Sequence, residues 1–217
     1  HHFTLYTLLW CGVLRSVITI RSRRSTMGSK REILFITTNP HKVKEIKELA
    51  ESEARNITIV HRTYEYPELQ LDELEEVAKE SAKYIQEKVA IQTPFFIEDS
   101  GLFIHDLHGF PGPFSAFVFK KIGNEGILKL MAGKPDEERK ATFKTAVAFC
   151  EPDREAPVIF VGTVEGRIAD EIRGSGGFGF DPIFEFERKT FAEMSTEEKN
   201  KVSHRSRAFR KLLAFLA

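Results

Sequence analysis

The stretch Ile33-Leu34-Phe35-Ile36-Thr37-Thr38-Asn39-Pro40-His41-Lys42 indicates the fold class of this 217-residue chain. Its first four residues are apolar, and such a short run is typical of a buried strand. Asn39 is a favourable N-cap and Pro40 suits the first helical position, so a helix should begin directly after the strand. Apolar residues then recur at helical spacing, at Val43, Ile46, Leu49 and Ala50. A buried strand that runs directly into a helix predicts an α/β protein.

The rest of the chain predicts a mixed sheet with flanking helices. Further strands are expected at residues 57–60, 95–97 and 182–184, and helices at residues 71–85, 114–131 and after Ser203. Residues 141–150 and 158–166 are predicted to be two strands of an antiparallel hairpin, because the turn sequence Glu151-Pro152-Asp153-Arg154 separates them. The hairpin means that the sheet of this α/β fold cannot be purely parallel.

The charge balance and the cysteine content argue against several classes of protein. Lys and Arg together number 32, as do Asp and Glu, so the net charge of zero offers no field that attracts nucleic acid or an anionic membrane. We therefore expect neither nucleic acid nor a membrane as a partner. Cys11 and Cys150 are too few for a disulfide framework. A reducing, cytoplasmic location is expected.

Residues 1–26 differ from the rest of the chain. They are mostly apolar and end in several arginines. The first acidic residue of the chain is Glu32. A secretory signal would carry its charges before the apolar run, and the run is too short and interrupted for a membrane span. Two interpretations remain: an organelle transit peptide, or upstream residues that do not belong to a protein starting at Met27. We favour the second, and expect residues 1–26 to be disordered and residues 27–217 to form one domain.

A first polar cluster, Thr37 to Lys42, lies where the predicted strand meets the predicted helix. Hydroxyl groups, an amide, free backbone N–H groups and the Lys42 ammonium converge there, and a helix N-terminus favours anions. The pattern lacks the glycine run and the Gly-Lys-Ser/Thr of a Walker P-loop. It is also compatible with an ordinary capped helix that carries a solvated lysine.

A second cluster, Glu98-Asp99-Ser100-Gly101, follows the apolar residues 95–97 and is predicted to be a turn. Such a turn would place two carboxylates at the carboxyl edge of the sheet, where α/β proteins bind ligands. Mg²⁺ favours one or two carboxylates, with waters and phosphate oxygens completing its coordination. Glu68, in a predicted extended loop, is a candidate second ligand. On their own, the same acids are also compatible with a solvated turn.

Two more clusters offer groups that could hold a nucleotide base. The sequence Phe178-Gly179-Phe180-Asp181-Pro182 provides aromatic faces for stacking on a planar base, although a buried aromatic pair would show the same pattern. The segment from Lys199 to Arg205 concentrates hydrogen-bond donors near a predicted helix start, preceded by a capping box of Ser195 and Glu198. A solvated charged face is the alternative interpretation of this last segment.

These clusters, in this order, resemble those of the inosine triphosphate pyrophosphatase family, also called Ham1-like proteins or XTP/dITP diphosphatases. The resemblance runs from about Ile33 to the C-terminus and also includes Gly109-Phe110-Pro111-Gly112-Pro113 and Ala192-Glu193-Met194. It implies an elongated, mixed α/β fold whose two lobes flank a central nucleotide cleft, in a homodimer. It also implies hydrolysis of the purine nucleoside triphosphates ITP, dITP and XTP to the monophosphate and pyrophosphate, which would cleanse the nucleotide pool.

The resemblance further implies a role for each motif residue. The triphosphate would be held by Thr37, Thr38, Asn39, Pro40, His41 and Lys42. Mg²⁺ or Mn²⁺ would be bound by Glu68 and Asp99, with Asp99 also serving as general base and Ser100 contacting the substrate. The base would be held by Phe178, Gly179, Phe180 and Asp181, with Phe180 on the purine face, and the nucleotide would also be contacted by Lys199, His204 and Arg205.

Base selection would follow from hydrogen-bond donors. Hypoxanthine and xanthine carry an oxygen at position 6, where adenine carries an amino group. Donors from Arg205 or from backbone N–H groups would satisfy that oxygen but oppose the amino group of ATP, and a mismatched buried donor costs several kcal/mol. Two positions depart from the family pattern. Thr38 stands where many members have glycine, and Ala116 stands where some have lysine, with Lys120 and Lys121 only later.

Two other functions are compatible with these motifs. The chain could be a related nucleotide pyrophosphatase that prefers methylated or oxidised bases, or a non-catalytic nucleotide-binding protein. The presence of Lys42, Glu68 and Asp99 favours an enzyme. A nucleic-acid-binding module would require a basic stripe, which the balanced charge does not supply.

Overall fold

The computed structural model of the protein describes residues 30–67, 69–89 and 91–217. The strands in these residues are β1 (Arg31–Ile36), β2 (Ile57–Arg62), β3 (Phe95–Ile104), β4 (Pro111–Gly112), β5 (Lys140–Cys150), β6 (Val158–Ile168), β7 (Phe184–Phe186) and β8 (Lys189–Thr190). The α-helices are α1 (Pro40–Glu53), α2 (Leu74–Lys88), α3 (Ser115–Leu130), α4 (Thr196–Val202) and α5 (His204–Leu216). The leader at residues 1–26 and the candidate ligand Glu68 lie outside the described residues.

The strands of the described residues form one mixed sheet. Their order is β2-β1-β3-β5-β6-β7-β8, with β4 attached to β3. β1 is parallel to both β2 and β3, whereas the pairs from β3 to β8 are antiparallel. The predicted hairpin is the long β5–β6 pair, and the mixed α/β fold is confirmed. None of the helices in these ranges is long and apolar enough to cross a membrane.

The start of α1 is set locally, as predicted. The side chain of Asn39 accepts hydrogen bonds from the backbone N–H groups of His41 and Lys42, at 3.0 and 3.4 Å. Pro40 is the first helical residue, where its missing N–H costs nothing. The buried face of α1 then packs on the sheet, because its apolar residues recur at helical spacing.

Helices cover both faces of the sheet. α1 and α5 pack on one face, where the rings of Phe35 and Phe96 stack with centroids 4.5 Å apart. α2 packs on the opposite face, against Ile36 and Ile97. A further apolar cluster joins α3 to the far ends of β3, β5 and β6. The long strands β3 and β5 therefore connect two apolar regions, in agreement with the two predicted lobes.

The acidic cluster is not a turn, so that prediction is wrong. Glu98, Asp99, Ser100 and Gly101 lie in the middle of β3, which pairs with β5 along all 10 of its residues. This pairing with a distant part of the chain satisfies the backbone of the polar residues, and it extends the strand beyond the apolar run that marks it in the sequence. The last predicted strand also differs, because β7 spans Phe184–Phe186 rather than residues 182–184.

The edge of β3 that faces away from β5 is open at the acidic cluster. β1 pairs with β3 at Phe95 and Phe96, and β4 pairs with it at Leu102 and Phe103. Between these two pairings, residues 97–101 have no strand neighbour on that edge among the described residues. Side chains from both faces of the sheet can therefore reach a common space at this gap.

Candidate functional site

A cavity of about 900 Å³ opens at this gap in the sheet. It is lined by residues of all four predicted clusters. The predicted site residues in its lining are Thr37, Thr38, Asn39, His41, Lys42, Asp99, Ser100, Phe178, Gly179, Phe180, Asp181, His204 and Arg205. The lining does not include Pro40 or Lys199. The fold thus brings together clusters that are widely separated in the sequence.

The loop between β1 and α1 presents polar groups at one end of the cavity. Thr37 Oγ1 accepts a hydrogen bond from the backbone N–H of Asn39 at 3.1 Å. Asn39 in turn accepts from the backbone N–H groups of His41 and Lys42, as its predicted role of N-cap requires, so these two N–H groups are occupied. Thr38 is exposed, and both Thr38 and Lys42 line the cavity, so binding of an anion by these two residues stays a prediction.

Glu98 is a buried carboxylate held by two cations. Its Oε1 lies 2.9 Å from Lys42 Nζ and 3.4 Å from Arg205 Nε. Burial alone would raise the pKa of Glu98, but Arg205 and Lys42 outweigh it and hold the pKa at about 2. Glu98 is therefore ionised at neutral pH and fixes both cations beside the cavity.

Asp99 points to the other face of β3. Successive side chains of a strand alternate between faces, so Glu98 follows Phe96 toward α1 and α5, whereas Asp99 follows Ile97 toward α2. Asp99 is half-buried, lines the cavity, and accepts a hydrogen bond from the backbone N–H of Ser100 at 2.9 Å. The two neighbouring carboxylates thus have different environments: that of Glu98 is buried and ion-paired, and that of Asp99 lies in a half-buried residue of the cavity wall.

The aromatic loop contributes one partly exposed ring and one buried ring. Asp181 Oδ2 accepts a hydrogen bond from the backbone N–H of Phe178 at 2.7 Å, which fixes the loop. The ring of Phe178 stacks on His41 with centroids 5.1 Å apart. Phe180 is 4% exposed and lies perpendicular to the ring of Phe119, at 5.3 Å. Both rings of the predicted aromatic pair line the cavity.

Lys199 is buried and joins three parts of the site. Its ammonium donates hydrogen bonds to Glu45 Oε1 and Asp181 Oδ2, both at 2.7 Å. Its Nζ also lies 5.0 Å from the centroid of Phe178. Burial raises the pKa of Asp181, although Lys199 opposes the rise. Lys199 thereby connects α4 with α1 and with the aromatic loop, and its contact with the nucleotide stays a prediction.

Arg205 lies in the first turn of α5 and donates hydrogen bonds to three side-chain oxygens. Its Nη1 donates to Glu45 Oε2 at 2.6 Å, its Nε to Glu98, and its Nη2 to Ser100 Oγ at 3.2 Å. Coulombic attraction to Glu98 and Glu45 outweighs the effect of burial and raises the pKa of Arg205 further. A guanidinium carries five N–H donors, so two remain that can point to a ligand in the cavity.

His204 is a neutral imidazole in the wall of the cavity. Its ring stacks on Phe143 with centroids 4.6 Å apart. Burial, followed by the charges of Arg205 and Lys199, holds the pKa of His204 well below 6.5. Its Nδ1 has no hydrogen-bond partner within the described part of the chain. The side chain is therefore uncharged at neutral pH.

Glu45 is a site residue that the sequence motifs do not reveal. It is 6% exposed and holds both Lys199 and Arg205. Burial would raise the pKa of Glu45, but these two cations lower it below its ordinary value. The available signal is its position on the buried stripe of α1, next to Ile46. A carboxylate at a core position requires a cation, but the helical pattern does not say which one.

Similarity to known proteins extends over nearly the whole described chain. The Ham1 family model matches residues 33–215. A dITP/XTP pyrophosphatase of Methanosarcina mazei is 49% identical over 177 residues, which cover 82% of this chain and 92% of that protein. A dITP/XTP pyrophosphatase of Thermococcus kodakarensis is 48% identical over 186 residues, which cover 85% of this chain and 96% of that protein.

Solved structures show the same similarity in three dimensions. A HAM1 protein from Coxiella burnetii matches with a TM-score of 0.73 and 31% identity, covering 86% of this chain and 98% of that chain. The Staphylococcus aureus Ham1 protein matches with a TM-score of 0.69 and 30% identity, over 86% of this chain and 98% of that chain. The residues that build the cavity lie within the span matched by the family model. The chain therefore belongs to the Ham1 family, as its motifs predicted.

Proposed function

We propose that the protein hydrolyses deaminated purine nucleoside triphosphates, namely ITP, dITP and XTP, to the monophosphate and pyrophosphate. The observation that carries this proposal is the cavity that joins Lys42, Asp99, Phe180 and Arg205. It combines a cation for phosphates, a carboxylate for water and metal, and aromatic and donor groups for a base. The names of the relatives at 48% and 49% identity, dITP/XTP pyrophosphatases, support the same activity.

Asp99 and Glu68 are the proposed ligands of a magnesium ion. We expect manganese to be able to occupy the same site. The donor chemistry fits, because Mg²⁺ in proteins is typically held by one or two carboxylates together with waters and substrate phosphates. Among the described residues, no group of three His, Cys, Asp or Glu side chains could hold a metal by itself. Substrate oxygens would complete the coordination. When bound, the ion would neutralise phosphate charge and lower the pKa of water.

The remaining chemistry falls to the side chains of the cavity. Asp99 would take a proton from a water molecule whose oxygen bonds to the α-phosphorus. The bond from that phosphorus to the α–β bridging oxygen breaks, and pyrophosphate leaves. Lys42, held in place by Glu98, would neutralise charge on the phosphates. Phosphoryl transfer needs this positioning and charge neutralisation more than it needs covalent help.

Selection of the base would rest on Arg205 and the aromatic loop. The guanidinium of Arg205 is fixed by Glu45 and Glu98, so its remaining N–H groups have defined directions. They would donate to the oxygen at position 6 of hypoxanthine or xanthine and face an amino group in adenine. The rings of Phe178 and Phe180 would stack on the purine.

Two further parts of the proposal concern assembly and location. The family resemblance supports a homodimer, for which light scattering on the purified protein should give twice the mass of the chain. The content of only two cysteines supports a reducing, cytoplasmic compartment. Fluorescence imaging of the tagged full chain in its own cells tests the location.

Product identification tests the reaction type. Purified protein with Mg²⁺ and ITP should release one pyrophosphate and one IMP per ITP, measured by a coupled pyrophosphate assay and by ion-exchange chromatography. Orthophosphate with IDP as the first products would contradict the proposal. Tight binding of ITP without turnover would indicate a non-catalytic nucleotide-binding protein instead.

A further inference from the structure

The buried Thr145 and the half-buried Ser100 form a pair of hydroxyl groups across strands β5 and β3. They are directly opposed in the strand register, and their Oγ atoms lie 2.6 Å apart. Thr145 is 0% exposed and does not line the cavity. Its neighbours on the same face of β5 are apolar, with Phe143 in one apolar cluster and Val147 in another. A buried hydroxyl in such surroundings requires a hydrogen-bond partner, and Ser100 supplies it.

The direction of each hydrogen bond around Ser100 follows from counting protons. A serine hydroxyl has one proton to donate and two lone pairs to accept. Glu98 is paired with Lys42 and Arg205 and can only accept, so Ser100 donates its proton to Glu98 Oε2, 2.8 Å away. Arg205 Nη2 can only donate, and it occupies one lone pair at 3.2 Å. Thr145 must therefore donate to the other lone pair.

These bonds leave the Ser100 hydroxyl without a proton for a phosphate oxygen. Its three hydrogen bonds instead hold the Glu98 carboxylate and the Arg205 guanidinium in fixed relative positions. Arg205 is the donor proposed above for the purine oxygen. The hydroxyl of Ser100 thus influences recognition of the purine base by orienting Arg205. Thr145 in turn orients that hydroxyl through its hydrogen bond from β5.

We propose that Thr145 is a positioning residue for base recognition, which orients Arg205 through the hydroxyl of Ser100. This rests on the proposed function, because it requires Arg205 to recognise the oxygen at position 6. Without the Thr145 hydroxyl, Ser100 keeps its bonds to Glu98 and Arg205 but loses the third bond that fixes its hydroxyl, so one partner of Arg205 is held less tightly. Such a protein would still bind triphosphates, but it would distinguish an oxygen from an amino group less well.

Three variants of the full chain test this role. Thr145→Val keeps the shape and removes the hydroxyl, whereas Thr145→Ser keeps the hydroxyl. Thr142→Val is the matched control, because Thr142 lies on the same strand but bonds to the exposed Glu165. The preference for ITP over ATP, as the ratio of kcat/KM values, should fall about tenfold in Thr145→Val, mainly through a higher KM for ITP. It should stay near the wild-type value in Thr145→Ser and Thr142→Val.

An unchanged preference in Thr145→Val, or an equal fall in Thr145→Ser, would overturn the positioning role. Equal losses of kcat/KM for ITP and ATP, accompanied by lower stability, would indicate a purely structural role and would also overturn it. If the wild-type protein shows no preference for ITP, the proposed function fails separately. In that case the ¹H–¹⁵N signal of Arg205 Nε tests the positioning role without a substrate. Thr145→Val should shift this signal and Thr142→Val should not. A signal that stays unshifted in Thr145→Val would contradict the proposal.

Discussion

Glu98 and Asp99 are adjacent in the sequence, yet their carboxylates lie on opposite faces of β3. Both residues line the cavity, but Glu98 is 3% exposed and paired with Lys42 and Arg205, whereas Asp99 is half-buried and lies on the side of α2. The open edge of β3 allows both faces to contribute to one site. The two acids therefore lie in different surroundings: Glu98 organises two cations, and Asp99 is the carboxylate proposed for the chemistry.

Replacement of Asp99 should remove activity without unfolding the protein. In Asp99→Asn the general base and a metal ligand are lost together, so kcat for ITP should fall on the order of a thousandfold or more. The free energy of unfolding in urea should change by less than about 1 kcal/mol, because Asp99 is half-buried in the cavity wall and asparagine has nearly the same shape. Asp106→Asn, which alters an ion pair with Lys134 outside the cavity, is the control. A fully active Asp99→Asn protein would remove Asp99 from the mechanism.

Replacement of Glu98 should instead destabilise the fold. Glu98→Gln removes the buried carboxylate that Lys42 and Arg205 share, so that Arg205 keeps only Glu45, and breaking a buried ion pair in this way typically costs about 3–5 kcal/mol. Glu48→Gln is the matched control, because Glu48 pairs with Lys44 on the exposed surface at 4.0 Å and should contribute below about 0.5 kcal/mol. Urea unfolding of both variants provides the comparison. Equal free energies of unfolding for Glu98→Gln and Glu48→Gln would show that Glu98 does not stabilise the fold.

The elements that follow from local chemistry are predictable from the sequence. Asn39 and Pro40 define the start of α1, and Ser195 with Glu198 forms the predicted capping box at α4. The hairpin of β5 and β6 follows from a turn sequence between two apolar runs. Each of these features depends on residues only a few positions apart, so no knowledge of the tertiary structure is required.

The features that depend on distant partners are not predictable in the same way. β3 continues through Glu98 because β5, about fifty residues later, pairs with it. Glu45 is buried because Lys199 and Arg205 reach it from helices 154 and 160 positions away. The order of motifs identifies which residues share the site, but the two acids of β3 face opposite sides only because pairing with β5 keeps them in strand conformation.

His204 should make the stability of the protein depend on pH. Its folded pKa is lowered below the ordinary 6.5, so the unfolded chain takes up the proton first as the pH falls. Stability should therefore decline from pH 7.5 to pH 5.5, approaching about 1.4 kcal/mol per pH unit below 6.5 for this residue. In His204→Gln, the free energy of unfolding in urea should depend less steeply on pH, because the contribution of this residue is lost. Identical slopes in both proteins would show that burial does not suppress protonation of His204.

Removal of the metal should stop turnover and leave the fold intact. EDTA should abolish pyrophosphate release from ITP, since the proposed ion neutralises phosphate charge and activates water. Added Mg²⁺ or Mn²⁺ should restore the rate, and EDTA already saturated with Mg²⁺ is the control. The circular dichroism spectrum should not change, because the described core is closed by apolar contacts and ion pairs. Full activity in EDTA would contradict the metal requirement.

The most direct test of the proposed function is a comparison of four substrates under one condition. Purified protein with Mg²⁺ is given ITP, XTP, ATP or GTP, and pyrophosphate release is measured to obtain kcat/KM for each. We expect the values for ITP and XTP to exceed that for ATP by about a hundredfold or more, because the donors of Arg205 would oppose the adenine amino group. GTP should also be a poor substrate. Equal values for all four triphosphates would contradict the account.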